Sequence, residues 1–252
     1  MKKPVIIDTD LTPDDIAALK IIAQSNKAEI KAVTLVSEHP KAAFSCAESL
    51  CRETGIRCTI ATGAAKPIFK EQYSNDCPYG KTALPNENSV CCKAEKSEYP
   101  WDVILNEAQK ADGQLEIVTL GPLTNVAITL LRYLQIKPLI KRIFIAAGAH
   151  YVGNAAPYSE YNAFCDPDAL QIVIDSGVPV TLFPLEAAEN CKKNSGGDMG
   201  YSAAAVTSFL NDNIQTKDYY VKCETRTGEN QGWTIIDRLG KYKKQANITV
   251  VI

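Results

Sequence analysis

The sequence predicts a single-domain α/β protein on a mostly parallel, doubly wound sheet with a C-terminal antiparallel edge. Three observations predict it. Short Val- and Ile-rich runs alternate with longer segments of helical spacing, the pattern of successive strand–helix–strand units with helices on both faces. The chain has 252 residues, which suits one large domain, and no linker, repeat or low-complexity stretch divides it. Apolar residues make up 46% and charged residues 22%, enough apolar surface for a sizeable core.

Taken in order, Pro4-Val5-Ile6-Ile7 reads as a buried strand and Asp15 to Gln24 as a helix. Glu29 to Val36 is the next strand, and Pro40 to Thr54 the next helix. Cys58 to Ala61, Glu116 to Leu120, Arg142 to Ala147 and Val178 to Phe183 are further short apolar strands. Between them Trp101 to Asp112, Pro122 to Leu134 and Asp166 to Ser176 have helical spacing, with Asp166 placed to cap its helix before Pro167. In the tail, Asp218 to Glu224, Thr234 to Asp237 and Asn247 to Ile252 read as strands joined by Gly-containing turns.

Composition excludes several classes. Lys and Arg number 27 against 29 Asp and Glu, a net charge of -2, and no basic run forms the footprint of a nucleic-acid-binding protein. The apolar stretch Ile143 to Ala147 is far too short to cross a bilayer. Lys2 and Lys3 are followed by an apolar run that meets Asp8 at once, unlike a signal-peptide core. The nine cysteines are scattered, without a CxxC or zinc spacing, so they read as reduced thiols of a cytoplasmic protein.

In open α/β sheets ligands bind at the carboxyl ends of the strands. The polar residues just after the strands are Asp8, Asp10, His39, Thr62, the Gly121-Pro122-Leu123-Thr124-Asn125 turn and His150, and these should meet on one rim. The sharpest local feature is Asp8-Thr9-Asp10-Leu11-Thr12-Pro13-Asp14-Asp15, with four carboxylates. Two unit charges roughly 4 Å apart cost about 4 kcal/mol at an effective dielectric near 20, and a bound cation removes that cost. Oxygen donors favour Ca2+ or Mg2+. A competing account is a helix N-terminus, where Asp14 and Asp15 favour the macrodipole and Pro13 opens the first turn.

Two chemistries use such a cluster. Asp8, Asp10 and Thr12 fit the Asp-x-Asp-x-Thr opening of Mg2+-dependent haloacid-dehalogenase-type phosphatases, with Gly197-Asp198 as half of the downstream acidic pair. The other is hydrolysis of an N-glycosidic bond by a water whose pKa a metal lowers.

Two more blocks bear on the choice. Val118 to Ala127 contains Leu120-Gly121-Pro122-Leu123-Thr124-Asn125, and Gly153 to Ala169 contains Gly153-Asn154, Glu160-Tyr161-Asn162 and Cys165-Asp166-Pro167. With the opening motif and the tail Gly232-Trp233-Thr234-Ile235-Ile236-Asp237-Arg238, they run in order through nearly the whole chain and resemble the inosine-uridine-type nucleoside hydrolases. The resemblance implies that fold over a single domain of residues 1–252. It implies Ca2+ held by Asp10, Asp15 and the main-chain carbonyl of Thr124, with Asp10 also the general base. Asp14, Asn154, Glu160 and Asn162 would hold the ribose hydroxyls of a ribonucleoside substrate, and the assembly would be a homodimer or homotetramer. Glu160 and Asn162 also have a plainer reading as loop-capping residues.

The chain departs from the family pattern. Leu11-Thr12-Pro13 replaces the opening Pro-Gly, Tyr79-Gly80 stands at a His-Gly, and the segment near Glu38-His39 at a Gly-Asn. Tyr201 and Ser202 occupy a late His-Asp pair that would supply a metal ligand and a group near the base. The chain is several dozen residues short near 187–200, where the family carries helices over the base. His39 and His150 are candidates for the leaving-group acid, and Tyr79, Tyr158 and Tyr201 for contacts to the base; Cys91-Cys92 reads as structural. Besides the hydrolase and the phosphatase, a ribose- or nucleoside-binding relative without turnover is therefore an open reading.

Overall fold

The computed structural model describes residues 2–70, 98–195 and 199–252. Tyr79, Gly80, Cys91, Cys92, Gly197 and Asp198 lie outside them. The described strands and helices, in chain order, are β1 (Lys3–Thr9), α1 (Pro13–Gln24), β2 (Ala28–Leu35), α2 (Pro40–Thr54), β3 (Thr59–Thr62), α3 (Pro100–Lys110), β4 (Leu115–Thr119) and α4 (Thr124–Arg132). A 3-10 turn, Leu134–Leu139, leads into β5 (Ile140–Ala146), α5 (Tyr161–Cys165), α6 (Pro167–Ile174), β6 (Val180–Phe183), α7 (Leu185–Ser195) and α8 (Tyr201–Leu210). The chain ends with β7 (Thr216–Tyr219), β8 (Val221–Cys223), β9 (Thr234–Ile236) and β10 (Ile248–Val251).

The main sheet has the order β3-β2-β1-β4-β5-β6-β10-β7. All neighbours are parallel except β7, which closes the edge antiparallel to β10. Because successive residues of a strand face opposite sides, Ile6, Ile117, Ile143 and Leu182 pack under α3, α4 and α6. Val5, Ile7, Val118 and Phe144 pack under α1, α2, α7 and α8. That double burial explains why the central strands read as near-continuous apolar runs. The chain winds outward from β1 to β3, then returns to β4 on the other side of β1. The resulting switch point opens a crevice beyond the carboxyl ends of β1 and β4, where the acidic motif and the Gly121–Asn125 turn both begin.

The tail corrects the expectation. Asp218 to Glu224 is not one strand: β7 joins the main sheet, while β8 pairs antiparallel with β9 in a separate ribbon. The Asn247 side chain takes the amide of Val221 at 2.8 Å and gives its own to the Val221 carbonyl at 2.8 Å, drawing the chain out of the sheet after β7. The last strand enters the sheet parallel to β6, so only β7 forms the antiparallel edge. Helices α5 and α7 fall where no helix was expected, and α4 begins at Thr124 rather than Pro122. Among the described residues no helix is long and apolar enough to cross a membrane.

Candidate functional site

The acidic motif is shaped by one unusual turn. Leu11 has φ 57, a left-handed conformation that costs a non-glycine residue about 1–2 kcal/mol. Two features hold it there: its amide donates to Thr9 Oγ1 at 2.9 Å, and its side chain is fully buried. This is the local answer to the missing Pro-Gly. Thr12 then caps α1, accepting from the Asp15 amide at 3.3 Å, with Pro13 in the first turn. The turn delivers Asp10 and Asp15 to the same buried spot.

Their carboxyl groups are in contact. Burial raises the pKa of Asp10 well above the carboxylate range, and the charge of Asp15 raises it further. Asp15 is raised as well, again chiefly by burial, although hydrogen bonds with Asp10, Ser202 and Thr9 offset part of the shift. Thr9 Oγ1 donates to Asp15 Oδ2 at 2.7 Å, while Asp15 Oδ1 is buried without a hydrogen-bond partner. A buried carboxylate pair with an unsatisfied oxygen fits a hard divalent cation. Among the described residues no trio of His, Cys, Asp or Glu forms a metal-binding group, so a cation here would complete its shell from main-chain or water oxygens. Ser202, near the start of α8, puts a neutral hydroxyl on Asp15 where the family pattern has a carboxylate.

Of the other expected residues, Asp14 and Glu160 act on this pair through their charge. Asp14 is half-buried and accepts from the Ser202 amide at 2.6 Å, and Gly200 sits against its carboxylate so closely that a Cβ there would lie 1.9 Å from Oδ1. Gly121 packs on the Asp10 main chain, leaving only 2.8 Å between a would-be Cβ and the Asp10 nitrogen. Glu160 is buried, accepts from the amides of Gly148 (3.0 Å) and Ala163 (3.1 Å), and is raised to about 7, mainly by burial. It therefore does cap α5, as the plainer reading held, yet it also feels Asp15 and is felt by Asp10. Asn162 gives both amide hydrogens to main-chain carbonyls, of Leu120 at 2.7 Å and Ala146 at 2.9 Å, tying α5 to the ends of β4 and β5. That leaves its Oδ1 as the group a ligand could meet. Asn154, half-buried, accepts from the Tyr161 amide at 2.8 Å. Thr124 is buried at the first turn of α4, its hydroxyl donating to Asp166 at 2.7 Å; Asp166 also caps α6 through the Ala169 amide.

Asp8 plays a different part. It is fully buried, and its Oδ1 accepts from Thr34 at 2.5 Å and Asn125 at 2.9 Å. Asn125 in turn donates to the Leu35 carbonyl and accepts from Ala64. Asp8 thus locks β1 to β2 and α4, and no face of it is open to a phosphate ester. The phosphatase reading, in which Asp8 would be the nucleophile, is corrected on that ground.

The candidates for the leaving-group acid and for contacts to the base fare unevenly. Tyr201 is corrected to a packing residue: its hydroxyl donates to the Phe183 carbonyl at 2.6 Å, and burial, the largest cause, holds its pKa well above 10. His39 is exposed before α2. His150 stands after β5 with its ring edge-on to Tyr151, centroids 4.0 Å apart, and burial, then Arg238, lowers its pKa below 6.5. Tyr158 is exposed beside Trp233, ring centroids 5.4 Å apart. Sequence reasoning missed Glu186, whose Oε1 accepts from the amides of His150 (2.8 Å) and Tyr151 (2.7 Å) and so anchors the loop over the rim. Its position just after β6 was the available signal.

Comparison with known proteins identifies the family and the fold. Residues 5–198 match the family model described as inosine-uridine preferring nucleoside hydrolase. The chain is 26% identical over 290 residues to the pyrimidine-specific ribonucleoside hydrolase RihB of Escherichia coli (strain SE11), covering 100% of this chain and 92% of that one. Among solved structures, a plant nucleoside hydrolase, PpNRh1, superposes with a TM-score of 0.83 at 18% identity, over 100% of this chain and 94% of that one. The purine-preferring ribonucleoside hydrolase of Gardnerella vaginalis superposes with a TM-score of 0.78 at 21% identity, over 99% and 93% of the two chains.

Proposed function

Since the chain belongs to the inosine-uridine preferring nucleoside hydrolase family, we propose that it hydrolyses the N-glycosidic bond of ribonucleosides to ribose and free base, with Ca2+ held by Asp10, Asp15 and the main-chain carbonyl of Thr124. The observation that carries this reading is the buried Asp10–Asp15 contact with its unsatisfied Asp15 oxygen, under the charges of Asp14 and Glu160 at the switch point. When bound, a divalent cation supplies charge compensation for the pair and acidifies a nearby water.

The chain's own residues do the rest. Asp10 takes the proton of the attacking water as a general base. Asp14, Glu160, Asn154 and Asn162 orient the ribose through its hydroxyls, and a sugar lacking one leaves a buried acceptor unpaired. As the carbon–nitrogen bond breaks, its electron pair leaves with the base and positive charge grows on the sugar. The surrounding carboxylates stabilise that charge. The functional unit in this reading is a cytoplasmic homodimer or homotetramer.

A second reading rests on one observation. With Tyr201 committed to the Phe183 carbonyl and Ser202 in place of a carboxylate, the pocket resembles that of a ribonucleoside-binding protein without turnover. One assay decides. Inosine and uridine are incubated with the protein, with and without chelator, and free ribose is measured. Ribose release that the chelator abolishes is the expected result. Ribose binding without release from either nucleoside overturns the hydrolase in favour of the binder.

A further inference from the structure

No basic run exists in the sequence, but the fold builds a basic cleft. At the amino ends of β1 and β2, beneath the end of α3, a cavity of about 430 Å3 is lined by Lys2, Lys3, Lys31, Lys110 and Lys141. The acidic residues in its lining are Glu29 and Glu107. Each already serves a lysine, Glu29 with Lys31 at 2.6 Å and Glu107 with Lys110 at 2.6 Å. Among the described residues, Lys141 meets Glu116 at a distant 3.8 Å. Glu116 is nearly fully buried and its other oxygen is held by Arg142 at 2.5 Å. Lys3 is drawn toward Asp212 at 3.1 Å, outside the lining, where Lys27 also reaches it at 3.0 Å. The lining itself still holds more lysines than carboxylates, in a chain whose net charge is -2.

We propose that this cleft is a second binding site, for a compound bearing a phosphate or pyrophosphate group. It lies at the opposite end of the strands from the ribose pocket. Lysines that line one small volume carry more positive charge than its own carboxylates balance, and a multiply charged anion supplies the difference. Exposed Lys–Glu pairs contribute little, so Lys31 and Lys110 exchange a glutamate for a phosphate at small cost. The volume lies in the range of small-molecule sites, about 300–1,000 Å3, and admits a phosphorylated sugar or nucleotide as readily as pyrophosphate. Pro4 and Ala111 supply a small apolar wall.

The test is calorimetric titration of the metal-free protein, in metal-free buffer of low ionic strength so that phosphates do not act by chelation. The probes are pyrophosphate, ADP and ribose 5-phosphate, with adenosine as the uncharged control. Binding of at least one phosphate compound, weakened by added salt, with adenosine giving no signal at this site, is expected. ADP binding more tightly than pyrophosphate assigns the site to nucleotides; the reverse order assigns it to the phosphate group alone. Lys31→Gln with Lys141→Gln should weaken binding by about tenfold or more while ribose release stays unchanged. Lys2→Gln serves as a second variant should that pair fail to fold. Absence of binding by all three phosphate compounds, or binding unaltered in both variants, overturns the proposal without touching the hydrolase reading.

Discussion

Replacing Asp8 with Asn isolates the energetic role of the buried carboxylate beside the site. Asp8 has its pKa raised from 3.8 to about 7, by burial first, against the opposing hydrogen bonds from Thr34 and Asn125. A shift of about three units at about 1.4 kcal/mol each is about 4 kcal/mol. Since the folded value lies above the unfolded one, the folded chain holds this proton more tightly. The contribution is fully present below about pH 4 and is lost as pH rises through about 7. In Asp8→Asn nothing titrates, the amide oxygen still accepts from Thr34 and Asn125, and the new NH2 takes the place of Oδ2, which has no partner now. The variant should therefore gain on wild type as pH rises, by up to about 4 kcal/mol above pH 7, and it should retain ribose release. Urea unfolding of both proteins, metal-free, between pH 4.5 and 8 measures the difference. Asp10, Asp15 and Glu160 titrate in both proteins and cancel. Stability curves that stay parallel across this window would refute the reasoning.

Other predictions follow from single contacts. Asp10→Ala should abolish ribose release and weaken Ca2+ binding together, read by a ribose assay and calorimetry on one preparation; retained turnover removes Asp10 from the chemistry. Gly200→Ala places a methyl group where the Asp14 carboxylate now lies. Steady-state kinetics should then show KM for nucleosides rising about tenfold or more, with kcat less affected. Tyr201→Phe leaves the Phe183 carbonyl without its donor and should cost about 1–3 kcal/mol in denaturation with turnover kept. A hundredfold fall in kcat at unchanged fold would instead make Tyr201 part of the reaction.

The sheet was legible because its central strands are buried on both faces and therefore spell continuous apolar runs, as Ile117-Val118 and Ile143-Phe144-Ile145 do. The tail was not, since the parting of β7 from β8 depends on the Asn247 side chain meeting Val221, a contact 26 residues apart. Asp10, Asp14 and Asp15 could be read from charge crowding in one short stretch. Glu160 and Asn162 needed the resemblance, because nothing local says that a loop after β5 folds back over the end of β1. The double duty of Glu160, capping α5 while facing Asp15, is invisible in a linear pattern. So is the use of both Asn162 amide hydrogens on main-chain carbonyls. Leu11 shows the limit from the other side: a leucine at positive φ is an unlikely guess, and only its burial and the Thr9 hydroxyl make that turn stable.

The most direct measurement is a Ca2+ titration of the metal-free protein by calorimetry, run with and without ribose. The account predicts one ion per chain and tighter binding of each ligand in the presence of the other, because sugar and cation would share the carboxylates at the end of β1. No heat from Ca2+ under either condition, or ribose binding indifferent to the ion, would contradict it.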